Sequence, residues 1–512
     1  MATHSDEHPA PSVGSTRSPS GVLVGSVTCP NCATDRRRGH AHRCAAPELV
    51  TLPAAAVELL AAVRAAGGHP LVVGGAVRDA LAARSAPGPL DARVAPPAAV
   101  APKDLDIEVF GVETLDRLRP HLAAVARVDD VGASFGVLVA TVGGLDVDVS
   151  VAGEPPTPAG EAAAFARRDL TVNALGWDPG SGELVDVWGG AADVAHGVLR
   201  HVGPSFSDDA LRPLRAAQFV ARFGWTLADD TVLACRELAH LHDTLPSSRV
   251  WGEWKKLATR GLHISRALTV LERTGWLDNF PALAATRGIE QDPAWHQEGD
   301  VLTHLGLSAD VAAAAAEAER LPAEQRLLAV LGALVHDVGK PYVTTVHDDG
   351  RITSHGHESV GDPVAQDFLA GIGSPHVVRD RIGGLVAEHM CHVGVGGEPT
   401  PSAVRRLVRR LDGRSGLTIH DWARVVDADV AGRGPSAGAP VSGPWVALAG
   451  DVGAKPRKSL LTGRHLMSLG YEPGPAFTDI IRAALAAQDD GEFDDEAGAV
   501  AWFVAQEVPR VS

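Results

Sequence analysis

Two aspartates stand one residue apart in DLDIEVF (104–110), downstream of a glycine pair in LVVGGAVRD (71–79). On a β-strand, residues two apart point to the same side, so Asp104 and Asp106 share a face. Carboxylates held that close repel each other unless a cation or a proton lies between them. LDVDVSV (145–151) repeats the pattern with Asp146 and Asp148, one of which can complete a carboxylate cluster. The run strand, Gly-Gly, helix brings the backbone N–H groups of Gly74 and Gly75 to a helix N-terminus, a ready anion site, with Arg78 and Asp79 in the turns that follow. Acids beside an anion cradle suit phosphoryl or nucleotidyl transfer, in which two Mg2+ ions on hard oxygen ligands bridge a triphosphate and an attacking hydroxyl. A sheet edge explains a lone DxD and a tight turn explains a lone GG; the weight lies in their convergence.

A second constellation lies further on. GALVHDVGKP (332–341) sets His336 beside Asp337 at a helix end. Flanking it are His304 in WHQEGDVLTH, His355 and His357 in SHGHESVG, His389 in LVAEHM, and Asp429 in VDADVAGRG. Imidazoles and carboxylates at such positions bind one or two divalent metals and activate a water for phosphoester hydrolysis. A third set, in CPNCATDRRRGHAHRC (29–44), offers Cys29, Cys32 and Cys44 with His40 or His42 as ligands for a structural Zn2+. Finally, ARRDLTVNAL (166–175) precedes SDDALRPLRAAQFVARFGW (207–225). On a helix Arg212, Arg215 and Arg222 fall near one stripe, with Asp209 a turn before Arg212. An Asp–Arg pair presents acceptor and donor groups to a base edge.

The elements that must carry these residues are legible from periodicity. A helix (AAAVELLAAVRAAG) leads into strand LVVGG, helix AVRDALAA, a proline-rich loop, strand DLDIEVF, helix ETLDRLRPHLAAV, then strands FGVLVATV and LDVDVSV. From residue 205 helical periodicity dominates, broken by glycine and proline loops at 287–300, 346–362 and 432–445. With 512 residues, 45% of them hydrophobic, the chain can form several packed domains. No run of apolar residues is long enough to span a membrane, and the start lacks a secretory core. Five cysteines in so long a chain do not make a disulfide framework, so a cytoplasmic protein is expected. The net charge of −17 argues against a globally basic nucleic-acid binder, but not against a local basic groove.

GGAVRD, DLD, RRDLTVNAL and DDALRPLRAAQFVARFG, in this order, resemble the class II nucleotidyltransferases, meaning CCA-adding tRNA nucleotidyltransferases and bacterial poly(A) polymerases. The ordered set H…HD…H…H…D resembles the HD metal-dependent phosphohydrolase domain that follows the head in one bacterial group of CCA-adding enzymes. The resemblance covers about residues 50–512 and implies an α+β chain, with a polymerase-β-like head and a mostly helical body containing an HD domain. It implies that Asp104 and Asp106 bind Mg2+, with Asp148 beside them as a third catalytic acid. It also implies that Gly74, Gly75, Arg78, Asp79, Arg168, Asp169 and Asn173 serve the nucleotide, and that Asp209, Arg212 and Arg215 read the incoming base. The implied HD ligands are His304, His336, Asp337, His357, His389 and Asp429, with Asp427 as the alternative to the last and a divalent transition metal as occupant.

The expected organisation is a disordered tail at 1–47 with the cysteine set, a head at 48–185 and a helical nucleotide- and RNA-binding neck at 186–285. An HD domain at 286–435 and a helical tail domain at 436–512 complete it. The implied partners are the tRNA 3′ end, CTP and ATP. Three departures from the family stand out. The loop between GGAVRD and DLDIEVF is long; the segment between Asp148 and Arg168 is short and lacks the charged loop linked to the CTP-to-ATP switch. Asp208 and Gln218 also replace the usual Glu and Arg. CCA addition is the leading expectation. The alternatives are a poly(A) polymerase or other enzyme restricted to A or to C, and an HD phosphohydrolase whose head only binds RNA or nucleotide.

Overall fold

The computed structural model describes residues 42–85, 104–129, 136–393, 398–434, 438–453 and 455–506, together with four short strand segments between 16 and 37. The long loop after GGAVRD falls outside these residues, as do Cys29, Cys32 and His40 of the cysteine set. The chain divides into two compact units, one of residues 1–212 with 225–234 and the other of residues 213–224 with 235–512.

The first unit is built on an eight-stranded sheet. Its strands are β1 (His42–Ala45), β2 (His69–Val73), β3 (Asp104–Phe110), β4 (Arg127–Asp129), β5 (Val137–Val142), β6 (Leu145–Val151), β7 (Leu175–Asp178) and β8 (Glu183–Asp186). They lie in the order β1-β8-β7-β2-β3-β6-β5-β4, and every pairing is antiparallel except β3 with β6. In that parallel pair Asp146 is opposite Asp104 and Asp148 is opposite Asp106, while Val73 of β2 flanks Asp106 from the other side. Alternation does the sorting. Leu105, Ile107, Val147 and Val149 are buried on one face, and Asp106, Asp146 and Asp148 are exposed on the other.

Helix α1 (Ala54–Ala65) turns Leu59, Leu60 and Val63 inward and packs on α3 (Leu115–Ala123), and both touch the sheet. Gly74 alone separates β2 from helix α2 (Gly75–Ser85), so the chain must turn within that residue, which takes a left-handed φ of +67°. Helix α4 (Pro158–Phe165), capped by the Thr157 hydroxyl, delivers Phe165 edge-on to Phe110 in a cluster with Leu71, Val73, Ala174 and Val185.

The disordered-tail expectation needs correction at its end. Residues 42–45 form the edge strand β1, with Cys44 opposite Leu184 and buried. Arg43 pairs with Glu161 and Glu183, so its charges face partners rather than solvent. The polar composition of the segment concealed this strand, which is paired by backbone groups and by the Arg43–Glu183 ion pair. Cys44 thus packs in the sheet, and no zinc is assigned to it.

The second unit is helical. Helix α5 (Arg212–Phe223) opens at the boundary between the units. The segment expected to be an HD domain includes α6 (Val301–Ala318), α7 (Ala323–Val335), α8 (His357–Gly371), α9 (His376–Glu388) and α10 (Ile419–Gly432). Helices α6, α7 and α10 pack mutually, α8 packs on α9, and α9 touches both α7 and α10. Residues 326–335 of α7 are buried all round, as befits a central helix. Two further helices, α11 (Ala476–Asp489) and α12 (Glu496–Ala505), gather a separate small core around Leu461, Leu466, Phe493 and Phe503. No helix among the described residues is long and apolar enough to cross a membrane.

Candidate functional site

In the first unit the β2–α2 turn meets β3. A Cβ on Gly74 would stand 3.3 Å from Asp106 Oδ2 and 3.4 Å from Arg168 Nη1, so the glycine backbone lies against both an acid and a cation. Arg168 is anchored twice: Nη2 donates to Glu108 Oε2 at 2.5 Å and Nη1 to the Asn173 carbonyl at 3.2 Å. Asn173 is the hub of this network. Its side-chain oxygen accepts from Arg78 Nη1 at 2.5 Å and its amide donates to Asp169 Oδ1 at 2.9 Å. Arg78 is buried, and its Nε donates to Asp79 Oδ1 at 2.8 Å. Gly74, Arg78, Asp79, Asp106, Arg168, Asp169 and Asn173 are therefore brought together, and Gly75 sits over Arg78, whose Nη2 would be 3.6 Å from an added Cβ. Asp104 is placed by its strand register opposite Asp146, and Asp146 Oδ1 accepts from the Thr141 hydroxyl at 2.8 Å.

Glu108 was absent from the sequence-derived set. The signal was available, since DLDIE continues the alternation and puts Glu108 on the face of Asp104 and Asp106. What periodicity could not disclose is that this buried acid is the partner of Arg168.

Asp209 Oδ1 accepts from the Leu211 N–H at 3.0 Å, and the Arg212 guanidinium donates to the carbonyls of Ser205 and, at 2.7 Å, Arg167. Arg215 belongs to the second unit, where it lies 3.7 Å from the buried Glu253 and over the Phe219 ring.

The second site is entirely within the second unit. His304, His336, Asp337, His357, His389 and Asp429 are all buried, and all converge. His304 Nε2 is 3.2 Å from His336 Nε2 and 3.1 Å from Asp429 Oδ1. His357 Nε2 is 3.0 Å from His389 Nε2, and Asp337 Oδ1 lies 3.1 Å and 3.6 Å from those two nitrogens. The other oxygen of Asp337, Oδ2, is 3.3 Å from His336 Nε2. Asp337 thus stands between two lobes, one with His304, His336 and Asp429, the other with His357 and His389. Asp429 and not Asp427 faces this cluster. Asp427 accepts from the Val441 and Ser442 N–H groups and from the Ser442 hydroxyl. His355 is exposed and takes no part.

Close helix packing sets this geometry. His336 and Asp337 follow directly from the C-terminus of α7. A Cβ on Gly339 would lie 2.0 Å from the His357 carbonyl, so only glycine lets α8 bring His357 up to Asp337. A Cβ on Gly432 would lie 2.2 Å from the Ser308 hydroxyl, and that contact seats α10 on α6 one turn from both Asp429 and His304. Lys340 Nζ sits 2.6 Å from Asp337 Oδ2, and Arg433 Nη2 is 3.0 Å from Asp429 Oδ1. Neither cation was singled out from the sequence, although helical spacing of three and four residues from the acids placed them there.

The donor set fits divalent cations. His336, His357 and His389 direct Nδ1 at the carbonyls of Ala333, Ser354 and Val386, at 2.8, 2.6 and 2.7 Å. Those bonds put the proton on Nδ1 and turn the Nε2 lone pairs inward, where they face one another. Such lone pairs repel unless positive charge lies between them. Burial by itself would lower the His336 imidazole, yet the Asp337 and Asp429 carboxylates push it up to about 10, in keeping with a site that favours positive charge. Burial opposes the charged forms of Asp337 and Asp429 too, but Lys340, His336 and His357 hold Asp337, and His304, His336 and Arg433 hold Asp429, well below the usual carboxylate range.

Comparison with known proteins agrees with this division. A family profile described as the Poly A polymerase head domain matches residues 160–200, and one described as the HD domain matches residues 301–415. Residues 160–200 are thus similar to part of a Poly A polymerase head domain, and residues 301–415 to an HD domain. In sequence the chain is similar to proteins named multifunctional CCA protein. That of Nitrosospira multiformis is 33% identical over 276 residues, and that of Halorhodospira halophila 35% over 280. These alignments cover 52% and 53% of this chain, which spans 63% of the length of each relative. In fold it is similar to the Bacillus stearothermophilus CCA-adding enzyme in complex with CTP, with a TM-score of 0.56 and 20% identity over 88% of this chain and 96% of that one. The Thermotoga maritima CCA-adding enzyme complexed with tRNA gives a TM-score of 0.52 and 17% identity, covering 88% and 93%.

Proposed function

We propose that this protein adds CCA to tRNA 3′ ends from CTP and ATP, and that its HD domain is a metal-dependent phosphohydrolase. The observation that carries the first part is the parallel β3–β6 register, which sets Asp148 beside Asp106 next to the Gly74 turn and Arg168. Asp104, Asp106 and Asp148 would hold Mg2+, which supplies charge neutralisation at the triphosphate and lowers the pKa of the attacking 3′-hydroxyl. The backbone of Gly74 and Gly75 receives phosphate oxygens at the start of α2. Arg168, held by Glu108, is oriented for a triphosphate oxygen, and Arg78, Asp79, Asp169 and Asn173 keep that arrangement rigid. Asp209, Arg212 and Arg215 read the base edge, in keeping with the donor and acceptor groups they carry.

In the HD domain, His304, His336 and Asp429 would hold one divalent transition-metal ion and His357 and His389 a second, with Asp337 shared between them. Such ions supply a hydroxide nucleophile at neutral pH. Lys340 and Arg433 add positive charge where a phosphoester would lie. A cytoplasmic setting goes with these substrates.

The test is incubation of the protein with Mg2+ and tRNA ending at the discriminator base, with labelled CTP, ATP, or both. Two additions from CTP and one more from ATP support the proposal. Extension by one nucleotide type alone would point to the restricted enzyme that the short segment before Arg168 suggests. No extension would leave the HD site as the active centre and the head as a binding module.

A further inference from the structure

Four histidines line the HD cluster, and three of them share one device: Nδ1 bonded to the backbone carbonyl three residues earlier. His304 breaks the pattern. Its Nδ1 lies 2.7 Å from Glu298 Oε1, and the same oxygen accepts from His296 Nδ1 at 2.9 Å. The His296 and His304 rings meet edge to face with centroids 4.8 Å apart. The Glu298 side chain is only 3% exposed, and neither its Oε2 nor His304 Nδ1 has a hydrogen-bond partner among the described residues, so the 2.7 Å approach of His304 to Glu298 is a charge contact. A buried carboxylate with one oxygen unsatisfied is costly. The local chain is shaped to place it. Gly299 turns back at φ +130°, Asp300 caps α6 through the Thr303 N–H, and His304 follows in the first turn of that helix. His296, Glu298 and His304 also form a group whose ligand atoms lie within 4.8 Å of one another.

We infer that Glu298 is a positioning residue that acts through His304, orienting its ring and strengthening Nε2 as a donor to the metal of the His304–His336–Asp429 lobe. A carboxylate behind a ligating imidazole raises ligand basicity more than a carbonyl does, so the two lobes are built to differ in affinity. His296 completes the support by holding the same Glu298 oxygen from the far side. This inference rests on the HD cluster being a metal centre.

Titration of the metal-free full-length protein with Mn2+ tests it, following heat and bound-metal stoichiometry, for wild type, Glu298→Ala, Glu298→Gln and His336→Ala. Wild type is expected to load two ions. In Glu298→Ala one of the two steps should weaken ten- to a hundredfold, while the other step, and CTP and ATP incorporation at the head, stay as in wild type. Glu298→Gln keeps the shape of the side chain and carries the test if the alanine variant does not fold; a severalfold weakening of one step at an unchanged metal-free melting temperature is expected. Wild-type affinity for both ions in the Gln variant, or a lowered metal-free melting temperature with affinity intact, would overturn the inference and leave the metal centre standing. A wild type that binds no Mn2+, indistinguishable from His336→Ala, would overturn the metal reading and the inference with it.

Discussion

At the scale of single residues, the head site depends on charges that have no packing role. Asp106 is exposed on its strand, so Asp106→Asn should abolish nucleotide incorporation while leaving the melting temperature within a degree or two of wild type. A parallel loss of both would show that the residue is structural. Glu108 is different because it is buried against Arg168. Glu108→Gln keeps one acceptor but loses the charge, and the expected result is a rise in KM for nucleotide of about tenfold, or about 1.4 kcal/mol, with a smaller change in kcat. Steady-state kinetics with CTP separates this from general misfolding. In the HD cluster, the metal-free His336 carries its proton up to about pH 10, and a metal ion must displace that proton. Apparent Mn2+ affinity should therefore rise with pH across the neutral range, with proton release on binding, measurable by calorimetry in buffers of different ionisation enthalpy. A flat affinity between pH 6 and pH 8 would contradict this.

At the scale of elements, the two sites are set by how closely backbones approach. Gly74 gives β2 its exit into α2, and Gly339 and Gly432 let α8 and α10 close on the HD cluster. Gly339→Ala forces a Cβ into the His357 carbonyl, which lies on backbone and cannot swing aside. The expected outcome is a loss of at least about 1–3 kcal/mol of stability and of metal binding, with the circular dichroism of the remaining helices retained. Thermal melting with and without Mn2+ reads both effects. Preservation of metal affinity in that variant would mean that α8 can shift without displacing His357.

At the scale of the whole molecule, the Asp106–Arg168 network lies within one compact unit and the histidine–aspartate cluster within the other. Separate chemistry is the consequence. His336→Ala should leave CCA addition intact and remove phosphodiesterase activity, and Asp106→Asn should do the reverse. Chelation of the HD metal should lower the stability of the second unit. A ligand at a hundredfold its Kd contributes about 2.7 kcal/mol, enough to move a calorimetric transition by several degrees. A single transition unaffected by EDTA would argue that no structural coupling exists between metal and fold.

Much of this was legible along the chain, and for a physical reason. Alternation in DLDIEVF and LDVDVSV is local, so the strands and the facing of their acids follow from period alone. The order H…HD…H…H…D is equally local in each of its parts. Other features depended on partners far away in sequence. Alternation alone left Asp146 and Asp148 equivalent, and the parallel register of β3 with β6 sets Asp148 opposite Asp106. Only the hydrogen bonds of Asp427 to residues 441–442 told it from Asp429 as the acid facing the histidines. The edge strand at 42–45 was hidden because its pairing uses backbone groups, which carry no side-chain signature. Glu108 and Glu298 were written in the sequence as ordinary acids, and they became the partners of Arg168 and His304 when residues 60 and 6 positions away folded against them. Residue types and periods therefore determined which chemistry this chain carries; which carboxylate serves which cation was decided by packing, because contact distance, and not sequence spacing, sets electrostatic strength.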